Sequence, residues 1–188
     1  MRGPGVGGGL DINTPKGRAT LVEEGRAVEL FGWRFPNLRF VHTNKERAAK
    51  IDGLLVQRYV RYLVLISCRR DCTVETFRTT WNWEWLLTEA KLKDGARLSV
   101  DHMASLVGWL YVVDEDVLLV QRLYDPAWGE VGERFVKHEV RVTETRRSVN
   151  GGRAVRPNAF IKMDRAVVIR RPPVFGGVRA KVDERTKA

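Results

Sequence analysis

Cysteine, histidine and glutamine are scarce in this chain, and each shortage closes a route to function. Of the 188 residues, 2 are cysteine and 3 are histidine. Cys68 and Cys72, with the scattered His42, His102 and His138, are too few to make a structural zinc site. No histidine stands with a serine or cysteine in a way that builds a nucleophilic triad. The two cysteines read as reduced thiols of a cytoplasmic protein, since a disulfide there fits only a hyperthermophile. Glutamine occurs only at Gln57 and Gln121 while 30% of the residues are charged, and both facts lean towards a thermophilic source. Long apolar runs are missing too. No stretch reaches the roughly 18 residues that a membrane-crossing helix needs. Residues 1–9 are glycine-rich and lack the apolar segment of a signal peptide. These glycines neither follow a strand nor open a helix, so they fail the context of a phosphate-binding loop.

Acidic residues are also in deficit, 23 against 33 basic ones, for a formal net charge of +10. Most of the excess is arginine, whose planar fork suits phosphate. A field of that sign favours polyanionic partners, nucleic acid first among them. The length implies one domain able to bury a proper core.

Along the chain, residues 1–18 read as a Gly/Pro-rich flexible arm. A hairpin is expected from residues 19–22 and 27–31 around Glu23-Glu24-Gly25-Arg26, followed by a strand over 38–41. Thr43-Asn44-Lys45-Glu46 has the form of a capping box and predicts a helix to about Tyr59 or Tyr62. On that helix Arg47, Lys50, Arg58 and Arg61 share one sector, and Asp52 falls within the opposite apolar arc. Residues 63–67 and 73–78 read as strands. Lys93-Asp94-Gly95 reads as a turn, and Ser99 or Asp101 as the cap of a helix to about Leu110. Strands over 117–123, 134–146 and 153–171 follow, with a turn at Asn150-Gly151-Gly152. Pro172-Pro173 ends the ordered part and a charged tail closes the chain. The expected class is α/β (α+β): a central mixed β-sheet flanked by two main helices, with additional β-hairpins at both ends, in a single domain over 19–175.

The segment from Trp81 onward carries the sharpest pattern. Trp83, Trp85, Leu87, Glu89 and Lys91 alternate with Asn82, Glu84, Leu86, Thr88 and Ala90. On a strand, alternation would project a carboxylate and an ammonium side by side from one apolar face. Burying both is costly unless they are paired or bind a metal. Phosphodiester hydrolysis uses carboxylates that hold Mg2+ and a lysine that positions the attacking water.

Glu89-Ala90-Lys91, its capped neighbours and Asp52 resemble the PD-(D/E)XK nuclease superfamily, and within it the archaeal Holliday-junction resolvases, over residues 44–125. That family has an acid-bearing helix, then a hairpin whose first strand starts with an aspartate. The hairpin's second strand carries acid-x-lysine, and a helix and a strand follow. The resemblance implies Asp52, Glu75 and Glu89 as metal ligands, Lys91 and Glu89 as catalytic residues, Mg2+ as cofactor, and a homodimer cutting DNA. The pattern departs from the family at the first-strand aspartate, where Glu75 or Asp71 must serve, and some members keep the fold without the metal site.

Arg47, Lys50, Arg58 and Arg61 offer phosphate contacts, and so do Arg146, Arg147 and Arg153 at the hairpin tip. Trp81, Trp83 and Trp85 suit either base stacking or a core. Two other readings use the same features. One is a non-catalytic nucleic-acid-binding or packaging protein. The other is a subunit of a larger assembly, joined through the tryptophan strand and the C-terminal strands.

Overall fold

A computed structural model of the chain describes residues 14–43, 50–127, 135–147 and 152–171. It opens with helix α1, Pro15–Arg34. Thr14 caps it by accepting from the Gly17 N–H at 3.0 Å, and Pro15 fits the first turn, where no backbone partner is lost. Glu24, Ala27, Leu30 and Phe31 are buried at helical spacing. That stripe overturns the expected hairpin over 19–31, and residues 15–18 of the expected arm are the helix's first turn. Gly25 and Gly32 carry no neighbour within 4 Å of an added Cβ, so both lie on the outer face. There a glycine weakens a helix without ending it.

Strands β1 (Arg39–His42), β2 (Gly53–Val56) and β3 (Val60–Arg69) form an antiparallel meander. The expected helix from Thr43 to Tyr59 or Tyr62 is therefore not formed over its described part; residues 44–49 lie outside the described residues. The reason is local: Leu54, Leu55 and Val56 pair with Leu63, Tyr62 and Val60 across a short turn, and ladder bonds outweigh helical periodicity. Gly53 allows β1 to pair on the other edge of β2, because a Cβ there would sit 2.1 Å from the Phe40 ring.

Residues 73–78 are not a strand. Thr73 caps a short helix, α2 (Val74–Thr79), by accepting from the Thr76 N–H at 3.0 Å. Strand β4 (Glu84–Thr88) is shorter than expected. Glu89 and Lys91 belong instead to helix α3, Glu89–His102. The expected turn at Lys93-Asp94-Gly95 lies inside that helix, where Gly95 lets it approach Leu106 within 3.0 Å of an added Cβ. The expected helix to Leu110 is also corrected: Met103 ends α3 in the left-handed region, and residues beyond it form β5 (Ser105–Val112). A short fully buried apolar run fits either state by spacing alone, and here its two-sided burial marks a central strand.

Strands β6 (Val117–Tyr124), β7 (His138–Arg147), β8 (Gly152–Lys162) and β9 (Val167–Arg170) complete the set. The expected strands near 38–41, 63–67 and 117–123 are present and the C-terminal hairpin pairs β7 with β8, but the single strand expected over 153–171 is corrected: it breaks after Lys162, and Val167–Arg170 leaves the hairpin to pair with β6 in the large sheet. Its tip at 148–151, residues 1–13 and residues 172–188 lie outside the described residues.

The class is as expected. A mixed six-stranded sheet runs β1-β2-β3-β5-β6-β9, with β3 and β5 parallel, and a second sheet runs β4-β8-β7. On one face of the large sheet α1 packs through Phe31, whose ring stacks on Trp109 at 4.4 Å. On the other face Trp85, Leu87, Ala159 and Ile161 of the small sheet join Leu92 and Ala96 of α3 in one core. Gly108 makes the second contact possible: a Cβ there would lie 2.4 Å from the Trp85 ring. Gly108→Ala is expected to destabilise the fold by about 1–3 kcal/mol through overpacking, read as a lower urea midpoint. An unchanged midpoint would show that Trp85 does not dock as described.

Candidate functional site

Asp52 sits immediately before β2 and is buried, with 8% of its surface exposed. Its backbone N–H donates to Val64 O at 2.8 Å, and its carbonyl accepts from Thr43 N at 3.3 Å. Its carboxylate extends the ladder where β2 has not yet begun. Oδ2 accepts from the Ile66 N–H at 2.7 Å and from Lys91 Nζ at 2.7 Å. Lys91 reaches it from the first turn of α3, so this one carboxylate joins β2, β3 and α3. A buried carboxylate is tolerable only with such partners.

The sequence-predicted residues divide accordingly. Asp52 and Lys91 meet, although neither stands on the element expected for it. Glu89 turns to Lys93, at 2.7 Å on the same helix. Glu75 lies exposed on α2 and pairs with Arg78 at 2.7 Å. Among the described residues, no three His, Cys, Asp or Glu side chains gather to hold a metal ion. Arg47 lies outside the described residues. Lys50, before β2, lies 3.8 Å from Asp94. Arg58 is exposed in the β2–β3 turn, and Arg61 on β3 stacks over Tyr59 at 4.1 Å. These three do not form one helix face, though all stay on the surface. Arg146 and Arg147 pair in register with Arg153 and Gly152 near the ribbon tip.

Two groups around the β3 end of this region were not singled out from the sequence. Glu24 of α1 is buried at 5% exposure. Cys68 follows Ile66 on the same face of β3, and its thiol is pushed up to about 12 by burial, by the Glu24 and Glu23 carboxylates and by Asp52. It is a neutral thiol at physiological pH, which denies it the role of nucleophile. The buried polar position in an otherwise apolar helix stripe at Glu24 is the signal that would have found this cluster.

This donor set does not fit Mg2+, which asks for several hard oxygens in octahedral array. The strand beside Asp52 offers Ile66, Ser67 and Cys68, and the ammonium of Lys91 already lies against the carboxylate.

A second feature lies on the outer face of the small sheet. A groove is lined by Arg69, Trp81, Asn82, Glu84, Leu86 and Phe160. Asn82 and Trp83 are both left-handed, with φ of 48° and 60°, a conformation costing about 1–3 kcal/mol for each such residue. It is held by Trp83 N–H to Phe77 O at 3.1 Å, Met163 N–H to Trp83 O at 2.9 Å and Glu84 N–H to Trp81 O at 2.7 Å. Glu84 is neutralised by Arg141 at 3.2 Å and Lys162 at 3.3 Å, and these partners hold its carboxyl below the usual range.

The chain matches no family model, no curated protein and no solved structure.

Lys91→Met is expected to cost about 1–3 kcal/mol, less than a fully dry pair because the lysine is partly exposed. Adding Asp52→Asn should recover part of that loss in a double-mutant cycle of urea unfolding; strict additivity would mean that the two groups do not interact. Alkali provides a separate test. The unfolded thiol ionises near 9 and the folded one near 12, so the fold retains a proton that the unfolded chain sheds. Stability from Cys68 is therefore complete below pH 9 and is lost between 9 and 12. Over that window the thermal midpoint of Cys68→Ala should fall less steeply than that of the native chain.

Proposed function

We propose that this chain binds nucleic acid without hydrolysing it, on a nuclease-like framework whose metal position is taken by an internal ion pair. The order of elements supports this reading. The family it resembles runs acid-bearing helix, hairpin opening on an aspartate, acid-x-lysine strand, helix, strand. Here α1 bears Glu24 and is followed by β1, β2 opens directly after Asp52, β3 is the hairpin's second strand, and α3 and β5 come after the inserted α2 and β4. In that frame Asp52 is the hairpin aspartate and Glu24 the helix acid. The acid-x-lysine position falls on β3, where the Ile66 N–H bonds Asp52 and the strand reads Ile66-Ser67-Cys68. Both chemical groups of that motif are missing from it.

The observation that carries the proposal is Lys91 Nζ at 2.7 Å from Asp52 Oδ2. A tethered ammonium gives the carboxylate the positive partner that a cation would otherwise supply. What persists is a strongly basic chain, with Arg58 and Arg61 exposed and arginines paired across the ribbon. Arg146 is the register partner of Arg153 in that ribbon.

The test is binding and cleavage on the same DNA and RNA substrates. Affinity is expected to fall about tenfold or more from roughly 50 to 200 mM salt, to be indifferent to EDTA, and to leave linear and branched substrates intact with Mg2+ present. EDTA-sensitive cleavage that is abolished by Asp52→Asn would overturn the binding-only reading in favour of a nuclease. An absence of binding at low salt would point instead to a subunit of an assembly.

A further inference from the structure

We infer that the groove between Trp81 and Phe160 takes one nucleotide of a single-stranded nucleic acid, with Arg69 as its phosphate partner. This rests on the nucleic-acid reading above and assigns it a place. Arg69, near the end of β3, is half-buried and stacks over Trp81 at 4.8 Å. Among the described residues it has no carboxylate partner, and burial holds its guanidinium below the usual arginine range. A cation placed in this way lacks an anion. Among the described residues, the only carboxylate lining the groove is Glu84, already shared by Arg141 and Lys162. The groove is thus net positive at Arg69.

Its remaining walls suit a planar, weakly polar group. Leu86 and Phe160 are cross-strand partners on the outer face of the sheet. Phe160 is flanked by the Arg141 guanidinium at 4.4 Å from its ring, so both aromatic walls are paired with an arginine plane. Bases stack on such aromatic and guanidinium surfaces without regard to sequence. The two left-handed residues, Asn82 and Trp83, set the turn that brings Trp81 beside β4, and strain of that kind concentrates at binding sites. A duplex keeps its bases stacked inside, so a base-sized groove of this kind selects single strands.

The test uses fluorescence anisotropy with end-labelled oligothymidylate, oligouridylate and a DNA duplex of equal length. Arg69→Gln and, separately, Leu86→Glu are measured beside the native chain, each with its thermal midpoint. Both variants should weaken single-strand binding about tenfold or more while duplex affinity stays within about twofold. Comparison of the two single strands shows whether DNA or RNA is preferred, and either preference supports the groove. If folded Arg69→Gln and Leu86→Glu bind single strands as the native chain does, the groove is excluded and the broader reading stands. If the native chain binds neither strand nor duplex, both readings fall. If one variant does not fold, the other decides.

Discussion

A carboxylate with little access to water must have its charge answered from within, and Asp52 is where this fold meets that demand. The Ile66 N–H and the Lys91 ammonium converge on the same oxygen. Three segments distant in sequence are thereby tied: the end of the β1–β2 connection, the middle of β3 and the first turn of α3. Removing any one partner would leave the others with an unanswered charge or an unmet donor, each a penalty comparable to a large share of a domain's net stability. The pair also shapes the chemistry that the position can perform. An ammonium on the same chain is present at high effective concentration. A divalent ion would have to displace it and then find further oxygen ligands, for which β3 provides an isoleucine, a serine and a protonated thiol.

The same division of labour governs the layers. Strand alternation gives the small sheet two different faces. Trp85, Leu87, Ala159 and Ile161 enter the shared core, and Gly108 makes room for the tryptophan ring. Glu84, Leu86, Phe160 and Lys162 are left outside in the intervening positions. Burying one face so completely fixes the backbone from which the outer residues project. The groove beside Trp81 is built on that backbone and on the turn held by hydrogen bonds to Phe77 and Met163.

Much of the later half of the fold was legible because its strands are long and β-branched; the hairpin of β7 and β8 and the strand β6 fall near their expected positions. The errors have physical causes. Glycine and acid at Glu23-Glu24-Gly25 imitate a turn, yet Ala27, Leu30 and Phe31 bury a helical stripe that overrides it. Asp94-Gly95 imitates a turn for the same reason and instead lets α3 lie close to Leu106. The segment after Ile51 has helical spacing and still forms strands, because a short turn folds Leu54, Leu55 and Val56 back onto β3 while β1 pairs with their other edge. Of the candidate site, Asp52 and Lys91 could be recognised as costly to bury, and they are in contact. Their elements were exchanged: the aspartate opens a strand and the lysine rides a helix. Glu24 escaped notice because a hairpin reading of residues 19–31 hid its place in an apolar helix stripe, and Arg69 because its meaning depends on tertiary neighbours alone.

Charge placement then separates two kinds of arginine. Arg78 and Arg141 are spent on carboxylates of this chain, and Arg70 is joined to Glu23, which fastens the end of β3 to α1. Arg58, Arg61 and Arg69 have no such partner among the described residues, and two of these three keep company with aromatic rings. An arginine satisfied by a carboxylate adds little to the field felt by an approaching polyanion. One resting on a tyrosine or tryptophan keeps its full charge and presents a flat, weakly hydrated surface. In the proposed role the exposed members would draw a strand towards the protein from any direction, whereas Arg69, recessed beside Trp81, can be reached only by a phosphate whose base is free to leave its stack. Long-range attraction and local selection thus fall to different residues, and only the second depends on the fold.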